Sequence, residues 1–551
     1  MDPVTQLARA WVVGDPDPAS RAALQALLGE ETSTAKAALH ELFDAPLRFG
    51  TAGLRGALGP GPGRMNLRVV ELATLGVAAY VTDHVENGPA RGVVIGHDAR
   101  HHSARFAKHA ADVLRARGIA VHVLSGPLPT PLVPFTLRQI SAAAGIMITA
   151  SHNPATDNGF KLYDCTGVQA LPDVCALVEE VMAEKEVLAP QLTPLAPRHE
   201  VQEEMLARYQ VHMLTALAPL NPADLTICYS ALHGVGFDTL HRLLSAAGFA
   251  EVHPLTSQCT PNPDFPNMPF PNPEEPGVLD ELLNFAKEKN ADLALANDPD
   301  ADRLAVCVPT KNGWRMLSGD EVGWLLGWHL LSAAVTPQVV TSTVVSSSRL
   351  LQLAEHFGAT HVETLTGFKW VARAASPLLF GYEEALGYAV DPAAVGDKDG
   401  VSAALALCAL ASELSHAGRT LTDLLDEMDN RFGRCVTRSS SLRLPAPPTG
   451  ATIDTALDAL ARSFSPANLR LLYSEDLRIA SHLPATTGLR LYFDDADQNL
   501  YRCVVRPSGT ESKVKCYVEV RESRKVATTV DLEDAAAALL RDLLAWAAAR
   551  F

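Results

Sequence analysis

Apolar positions recur with helical spacing from residue 21 to 43, and a Gly-rich turn, Arg48-Phe49-Gly50-Thr51-Ala52-Gly53-Leu54-Arg55-Gly56, follows. Beyond it, short apolar runs alternate with helical patterns. Residues 92–96 predict a buried strand, 103–117 a helix, 120–124 a second strand and 145–149 a third, the βαβ rhythm of a mostly parallel sheet. A Pro-punctuated stretch at 189–197 interrupts this rhythm. It resumes with strands at 224–229 and 292–296 around a helix at 237–247, and the Pro-rich segment 260–276 reads as an ordered loop. A third pass starts near Trp314, with a helix from Asp320, a strand at 338–342, a helix at 348–356 and an Ala/Leu-rich helix at 400–416. After Arg431 the texture changes to a Pro-rich linker at 445–448, strands near 488–493 and 501–506, and a helical C-terminus. The expectation is an α/β chain: three similar α/β domains with mixed sheets, at 1–199, 200–313 and 314–432, plus a smaller α+β domain at 433–551.

Length agrees, since 551 residues at about 150 per domain give three to four domains. With 47% hydrophobic and 20% charged residues the chain has material for several cores, which excludes large-scale disorder. Lys plus Arg is 46 against 63 Asp plus Glu, and the formal net charge of −17 opposes broad attraction to nucleic acid or an anionic membrane. Nine scattered Cys without a C-x-x-C pair exclude a disulfide scaffold and a Cys-rich zinc site. The start, Met-Asp-Pro-Val, lacks the features of a signal peptide, and no stretch of about 20 apolar residues is present. We therefore expect a soluble cytoplasmic protein with small-molecule partners, no nucleic acid, no membrane and no obligate protein partner.

Three segments carry candidate chemistry. Thr149-Ala150-Ser151-His152-Asn153-Pro154 follows a buried strand, where functional groups collect on an open α/β sheet. The residues after it, 157–161, read as a turn that brings Lys161 back toward Ser151, so that His152 or Lys161 acts on the serine proton. In Asn297-Asp298-Pro299-Asp300-Ala301-Asp302-Arg303, alternate spacing directs three carboxylates to one side. Two like charges about 4 Å apart repel by roughly 4 kcal/mol at an effective dielectric near 20, so three call for a cation. All-oxygen ligands favour Mg²⁺. Arg506-Pro507-Ser508-Gly509-Thr510-Glu511-Ser512-Lys513 supplies backbone N–H groups, hydroxyls and cations suited to a phosphate. Two further segments fit sugar hydroxyls: Glu383 and Glu384 within residues 381–388, and Thr366-Gly367-Phe368-Lys369. Each segment taken alone also fits an ordinary polar turn, and His233 fits a structural histidine.

Together, and in order over nearly the whole chain, these segments resemble the α-D-phosphohexomutase superfamily. The residues 48–56 with 381–387 look like its branch of bacterial α-phosphoglucomutases and phosphopentomutase-like phosphoglucomutases. That resemblance implies four domains around a central cleft, each contributing one loop. It implies that Ser151 carries phosphate, and that Asp298, Asp300 and Asp302 join a phosphate oxygen on Ser151 around Mg²⁺. It implies catalytic parts for Arg55, His152, Lys161 and Arg303, and sugar binding by Thr366, Gly367, Lys369, Glu383 and Glu384. Arg506, Ser508, Gly509, Thr510 and Lys513 would hold the non-reacting phosphate. The implied reaction interconverts glucose 1-phosphate and glucose 6-phosphate, with glucose 1,6-bisphosphate as intermediate and activator; mannose and pentose phosphates are alternatives. A Mg²⁺-dependent sugar phosphatase and a non-catalytic sugar-phosphate-binding protein are the rivals from other classes. Ala385 stands where many relatives of this kind carry Ser, and Ser512 where Pro is common.

Overall fold

The apolar run near residue 93 forms the strand Val93–His97, buried at every position because it has a strand on either side within the first sheet. That sheet runs Leu54–Ala57, Asp157–Tyr163, Ala144–Ile148, Val93–His97, Val121–Pro127 and Arg198–Glu200. Its inner pairs are parallel, whereas Asp157–Tyr163 runs antiparallel to both its neighbours. The computed structural model describes residues 2–183, 195–219, 221–445, 448–507, 513–523 and 530–551. The expected Pro-punctuated stretch at 189–197 and the linker at 445–448 fall partly outside the described residues.

The second sheet orders Gly313–Met316, Ala305–Thr310, Leu293–Ala296, Ile227–Ser230 and Val252–Pro254. The third orders Thr360–Thr364, Val339–Thr343, Phe380–Glu383 and Gly387–Ala389. Both repeat the plan of a parallel centre turning antiparallel at one side. The fourth sheet, Cys435–Arg443, Lys513–Arg521, Leu500–Pro507, Leu489–Asp494 and Arg470–Asp476, is antiparallel throughout. Three mixed α/β sheets and one different C-terminal sheet are therefore present. Arg198–Glu200 and Gly313–Met316 belong to the sheets that precede them, so the first and second sheets run past the expected limits of 199 and 313.

Two local expectations are corrected. Residues 21–43 are two helices, Pro18–Gly29 and Ser33–Phe43, because Thr32 ends the run as an N-cap, its side chain accepting from Ala35 N. Residues 157–161 are strand rather than turn, since Leu54–Ala57 and Ala144–Ile148 offer edges on both sides. The helix Leu67–His84 escaped pattern reading because it is buried on nearly every face and lacks a polar stripe.

One apolar core runs through the first three units, from Val94 and Leu124 through Ile227 and Leu295 to Val340 and Leu405. The fourth unit has its own core and meets the third through Val344, Val345, Leu365, Leu477, Leu483, Val504 and Tyr517. No single described helix is long and apolar enough to cross a membrane; the apolar Gly400–His416 lies within the shared core.

An ion pair locks the fourth unit to the third. Arg490 Nη1 and Nη2 donate to Glu363 Oε1 and Oε2 at 2.7 and 2.9 Å. Burial opposes ionisation of Glu363, but Arg490 and His482 outweigh it and pull the carboxyl from 4.5 to about 2. A depressed carboxyl contributes stability that is present above its unfolded value and lost as pH falls toward the folded one. Glu363→Gln should therefore lower stability near pH 7 by roughly 3 kcal/mol. Thermal unfolding of both proteins from pH 7 to pH 3 should show the gap narrowing below about pH 4.5; a gap independent of pH would contradict this role.

Candidate active site

All four motif loops occupy one topological position, the connection from a strand to its antiparallel neighbour. Ser151 lies between Ala144–Ile148 and Asp157–Tyr163, Asp298–Arg303 between Leu293–Ala296 and Ala305–Thr310, and Glu384–Leu386 between Phe380–Glu383 and Gly387–Ala389. The fourth, 508–512, connects Leu500–Pro507 to Lys513–Arg521. Ser508, Gly509 and Thr510 lie outside the described residues.

Ser151 adopts a φ of 52°, in the left-handed region that a non-glycine residue occupies only when its surroundings enforce it. Arg100 supplies that enforcement. Its Nη2 donates to the carbonyls of Ser151 and Asn153 at 2.7 and 2.6 Å, and its Nη1 to that of Pro154 at 2.7 Å. The Phe265 ring, from the Pro-rich loop, lies 4.8 Å from the guanidinium. So held, Ser151 is 1% exposed and its Oγ donates to Asp298 Oδ2 at 2.8 Å.

Asp298, Asp300 and Asp302 are buried, and one oxygen from each falls within 4.8 Å of the others. Lys161 Nζ donates to Asp300 Oδ2 and Asp302 Oδ2, each at 2.7 Å, so the amine returns to these carboxylates. Thr130 Oγ1 also donates to Asp300 Oδ2 at 2.7 Å, and Arg303 N to Asp298 Oδ1 at 3.1 Å. Burial opposes ionisation of Asp300, yet Lys161 and Thr130 hold it well below the usual carboxylate range. Burial, reinforced by the charges of Asp300 and Asp302, raises Asp298. Asp300 Oδ1 and Asp302 Oδ1 remain buried without a hydrogen-bond partner. Two orphaned anionic oxygens in an all-oxygen set fit a small hard cation.

Cations border this cluster. Burial works against the charge on Lys161, but Asp300 and Asp302 outweigh it and keep the amine protonated. Arg303 is also held protonated, by Asp302 and Asp298 against the cost of burial. His152 goes the other way: burial, with Arg303 and Arg55 nearby, depresses its imidazole well below the usual value. Its Nδ1 is buried without a partner, as is Arg55 Nε.

The third unit meets the loop Asp298–Arg303 through its backbone. Arg303 pairs with Gly387, Leu304 N donates to Leu386 O at 3.1 Å, and Arg303 Nη1 donates to Ala385 O at 2.8 Å. Residue 385 is thus used through its carbonyl. Glu383 Oε1 accepts from Gly367 N at 2.6 Å, and Glu384 Oε2 from Ser346 Oγ at 3.2 Å. Arg506 Nη1 donates to Thr366 Oγ1, joining the fourth unit to this rim. Lys369 is buried near Cys175 and Arg373. Lys513 starts the strand Lys513–Arg521, opposite Arg443. Sequence reading missed Arg100, Thr130 and Lys398, the last of which lies 3.3 Å from Asp302 Oδ2. Only the Gly-bracketed charge alternation Gly396-Asp397-Lys398-Asp399-Gly400 carried a signal for Lys398.

Three units built alike, whose strand connections meet around Ser151 and the three aspartates, and a fourth built differently have the four-domain plan of a sugar-phosphate isomerase that works by phosphoryl transfer. The phosphoglucomutase/phosphomannomutase family models match in chain order: alpha/beta/alpha domain I over residues 46–188, domain II over 207–313, domain III over 318–432 and the C-terminal domain over 485–536. The chain belongs to this family, within the α-D-phosphohexomutase superfamily. A Haemophilus influenzae protein named "Probable phosphomannomutase" is 36% identical over 466 residues, covering 83% of this chain and 93% of the relative. Human phosphopentomutase is 35% identical over 467 residues, covering 78% and 75%. A phosphoglucomutase/phosphomannomutase family protein from Burkholderia thailandensis shares the fold at a TM-score of 0.65 and 19% identity, covering 90% of this chain and 97% of that one.

Proposed function

We propose that this protein interconverts glucose 1-phosphate and glucose 6-phosphate through a phosphorylated Ser151. The observation that carries the reading is the Ser151 hydroxyl held 2.8 Å from Asp298, one of three buried aspartates gathered into a cluster. Phosphoserine would transfer its phosphoryl group to the 6-hydroxyl of glucose 1-phosphate. The resulting 1,6-bisphosphate turns over in the cleft and returns its 1-phosphate to Ser151, leaving glucose 6-phosphate.

Asp298, Asp300 and Asp302 would hold Mg²⁺ together with a phosphate oxygen, and that ion would neutralise charge on the transferring group. Lys161 and Arg303, both held cationic, would add fixed positive charge there. His152, kept neutral, is the candidate proton acceptor, whereas Lys161 as a cation suits the role of donor. Arg55, with an unpartnered buried Nε, is a further phosphate contact. Arg506, Ser508, Gly509, Thr510 and Lys513 are proposed to grip the distal phosphate, and Thr366, Gly367, Lys369, Glu383 and Glu384 the sugar.

The phosphatase rival needs an aspartate with a free oxygen as nucleophile. Both oxygens of Asp298 already accept hydrogen bonds, from Ser151 Oγ and Arg303 N, which leaves Asp300 and Asp302, each with an unpartnered Oδ1, as the nucleophiles that rival would use. The nine cysteines are all unpaired, which suits the reducing cytoplasm proposed as its compartment.

A coupled assay with Mg²⁺, a trace of glucose 1,6-bisphosphate and a panel of glucose, mannose and pentose 1-phosphates tests the reading. Glucose 1-phosphate is expected to be the best hexose substrate, with measurable turnover of mannose or pentose 1-phosphate; no turnover of any would overturn it. Pentose belongs in the panel because the human relative is named a phosphopentomutase. Glu383→Gln should lower kcat/KM for every sugar by roughly 1.5–3 kcal/mol, the worth of a charge-assisted hydrogen bond. Unchanged kcat/KM on all of them would move sugar reading to Thr366, Gly367 and Lys369.

A further inference from the structure

The serine run Ser346-Ser347-Ser348 connects the strand Val339–Thr343 to the helix Arg349–Phe357 in the third unit, outside the four motif connections. Three buried charged side chains hold it. Asp320, in the first turn of the helix Gly319–Ala333, accepts from Ser347 N at 2.7 Å. The other two belong to the fourth unit: Arg502 Nη2 donates to Ser346 O, and Glu519 accepts from Ser348 N at 3.1 Å and from Ser348 Oγ. Arg502 and Glu519 face each other in register on Leu500–Pro507 and Lys513–Arg521, the two strands that flank the connection 508–512, and pair at 2.6 Å. Burial works against the charge on Glu519, but Arg502 and Ser348 outweigh it and keep the carboxylate ionised.

On its other side the serine run meets the strand and loop that carry the paired glutamates. Ser346 Oγ donates to Glu384 Oε2 at 3.2 Å, and Thr343 Oγ1, 2.9 Å from Ser346 Oγ, shares that oxygen. Among the described residues Glu384 Oε1 accepts no hydrogen bond, which leaves it for a substrate hydroxyl. Asp320 Oδ1, the oxygen that accepts from Ser347 N, also accepts from Tyr382 Oη at 2.8 Å, and Tyr382 immediately precedes Glu383. Val344 and Val345, just before the serines, pack against Val504 and Tyr517 of the fourth unit, so water is excluded from the same seam.

We propose that Arg502 and Glu519 are positioning residues that grip the serine run from the fourth unit and thereby set the carboxylates of Glu383 and Glu384, so that the unit holding the distal phosphate also governs how the sugar is read. The inference rests on the reading of Glu383 and Glu384 as sugar ligands and of the fourth unit as the phosphate grip. Carboxylates set in place beforehand lose less freedom on binding, so the effect belongs in substrate affinity more than in the chemical step.

The test is a double-mutant cycle across the seam, with Arg502→Met and Glu384→Ala alone and together. KM and kcat for glucose 1-phosphate are read beside thermal unfolding. Each single variant should raise KM about tenfold with a smaller change in kcat, and the double variant should stay within about threefold of Glu384→Ala, because both changes act on one carboxylate. Arg502→Lys should recover most of the loss. Ser346→Ala leaves no buried charge unpaired and remains as the test if Arg502→Met does not fold; it should raise KM about threefold and have no further effect in the Glu384→Ala background. Effects that multiply across the cycle overturn the proposal, since Arg502 would then support the fold without reference to the sugar. Wild-type KM in a folded Arg502→Met or in Ser346→Ala overturns it as well. Wild-type KM in Glu384→Ala would instead overturn the reading of Glu384 as a sugar ligand, and wild-type protein that turns over no sugar phosphate the reading of the site itself.

Discussion

Ser151→Ala will lose mutase turnover by about four orders of magnitude or more while remaining folded, because the variant removes the atom that would carry the phosphoryl group. The loop does not depend on that hydroxyl. Arg100 holds it through the carbonyls of Ser151, Asn153 and Pro154, and alanine keeps all three. Asp298 loses one donor, which costs about 1–3 kcal/mol for a buried acceptor, so a modest fall in melting temperature accompanies the loss of activity. Steady-state assays beside thermal unfolding separate the two effects. Substantial turnover in a folded Ser151→Ala protein would end the phosphoserine account.

Mg²⁺ will raise the melting temperature of the wild-type protein, and Asp298→Asn will abolish most of that rise. The variant removes one of three buried carboxylates and relieves repulsion that burial and the neighbouring charges of Asp300 and Asp302 impose on it. Its metal-free form should therefore be as stable as wild type or more so. Affinity for the ion should fall by about 100-fold, the upper end of what even an outer partner of a metal ligand costs. Stabilisation by a ligand follows its concentration relative to Kd, so the shift shrinks accordingly. Calorimetric Mg²⁺ titration checks the same point, and an unchanged affinity in Asp298→Asn would remove Asp298 from the metal set.

Much of this was legible in the chain because the chemistry sits where a buried strand stops. Ala144–Ile148 and Leu293–Ala296 are short wholly apolar runs, and each is followed at once by polar residues with no apolar partner of their own. Such a break announces a sheet edge with side chains gathered at it. The antiparallel return of Asp157–Tyr163 was not legible, since Asp157, Asn158 and Gly159 read as turn residues. Here Asn158 Nδ2 is satisfied by His101 O, and Gly159 leaves room for Thr149 O, where a Cβ would come to 2.5 Å. Arg100 and Thr130 were invisible for another reason. Their partners lie far along the chain, Arg100 gripping the Ser151 loop and Thr130 bonding Asp300 in the next unit, and nothing local marks either residue. Ala385 stands where many relatives carry Ser, and its carbonyl accepts from Arg303, a backbone role any residue can fill.

The central claim is that Ser151 is the phosphoryl carrier, and the most direct measurement is site mapping of the covalent phosphate. Purified protein is incubated with glucose 1,6-bisphosphate and Mg²⁺, then digested and sequenced by tandem mass spectrometry under conditions that preserve both phosphoserine and acyl phosphate. The account expects a single phosphate on Ser151 that is exchanged for isotope-labelled phosphate when labelled glucose 1-phosphate is added, because the bisphosphate returns its 1-phosphate to the serine. Phosphate on Asp298, Asp300 or Asp302, or none on a protein that turns over substrate, would contradict it.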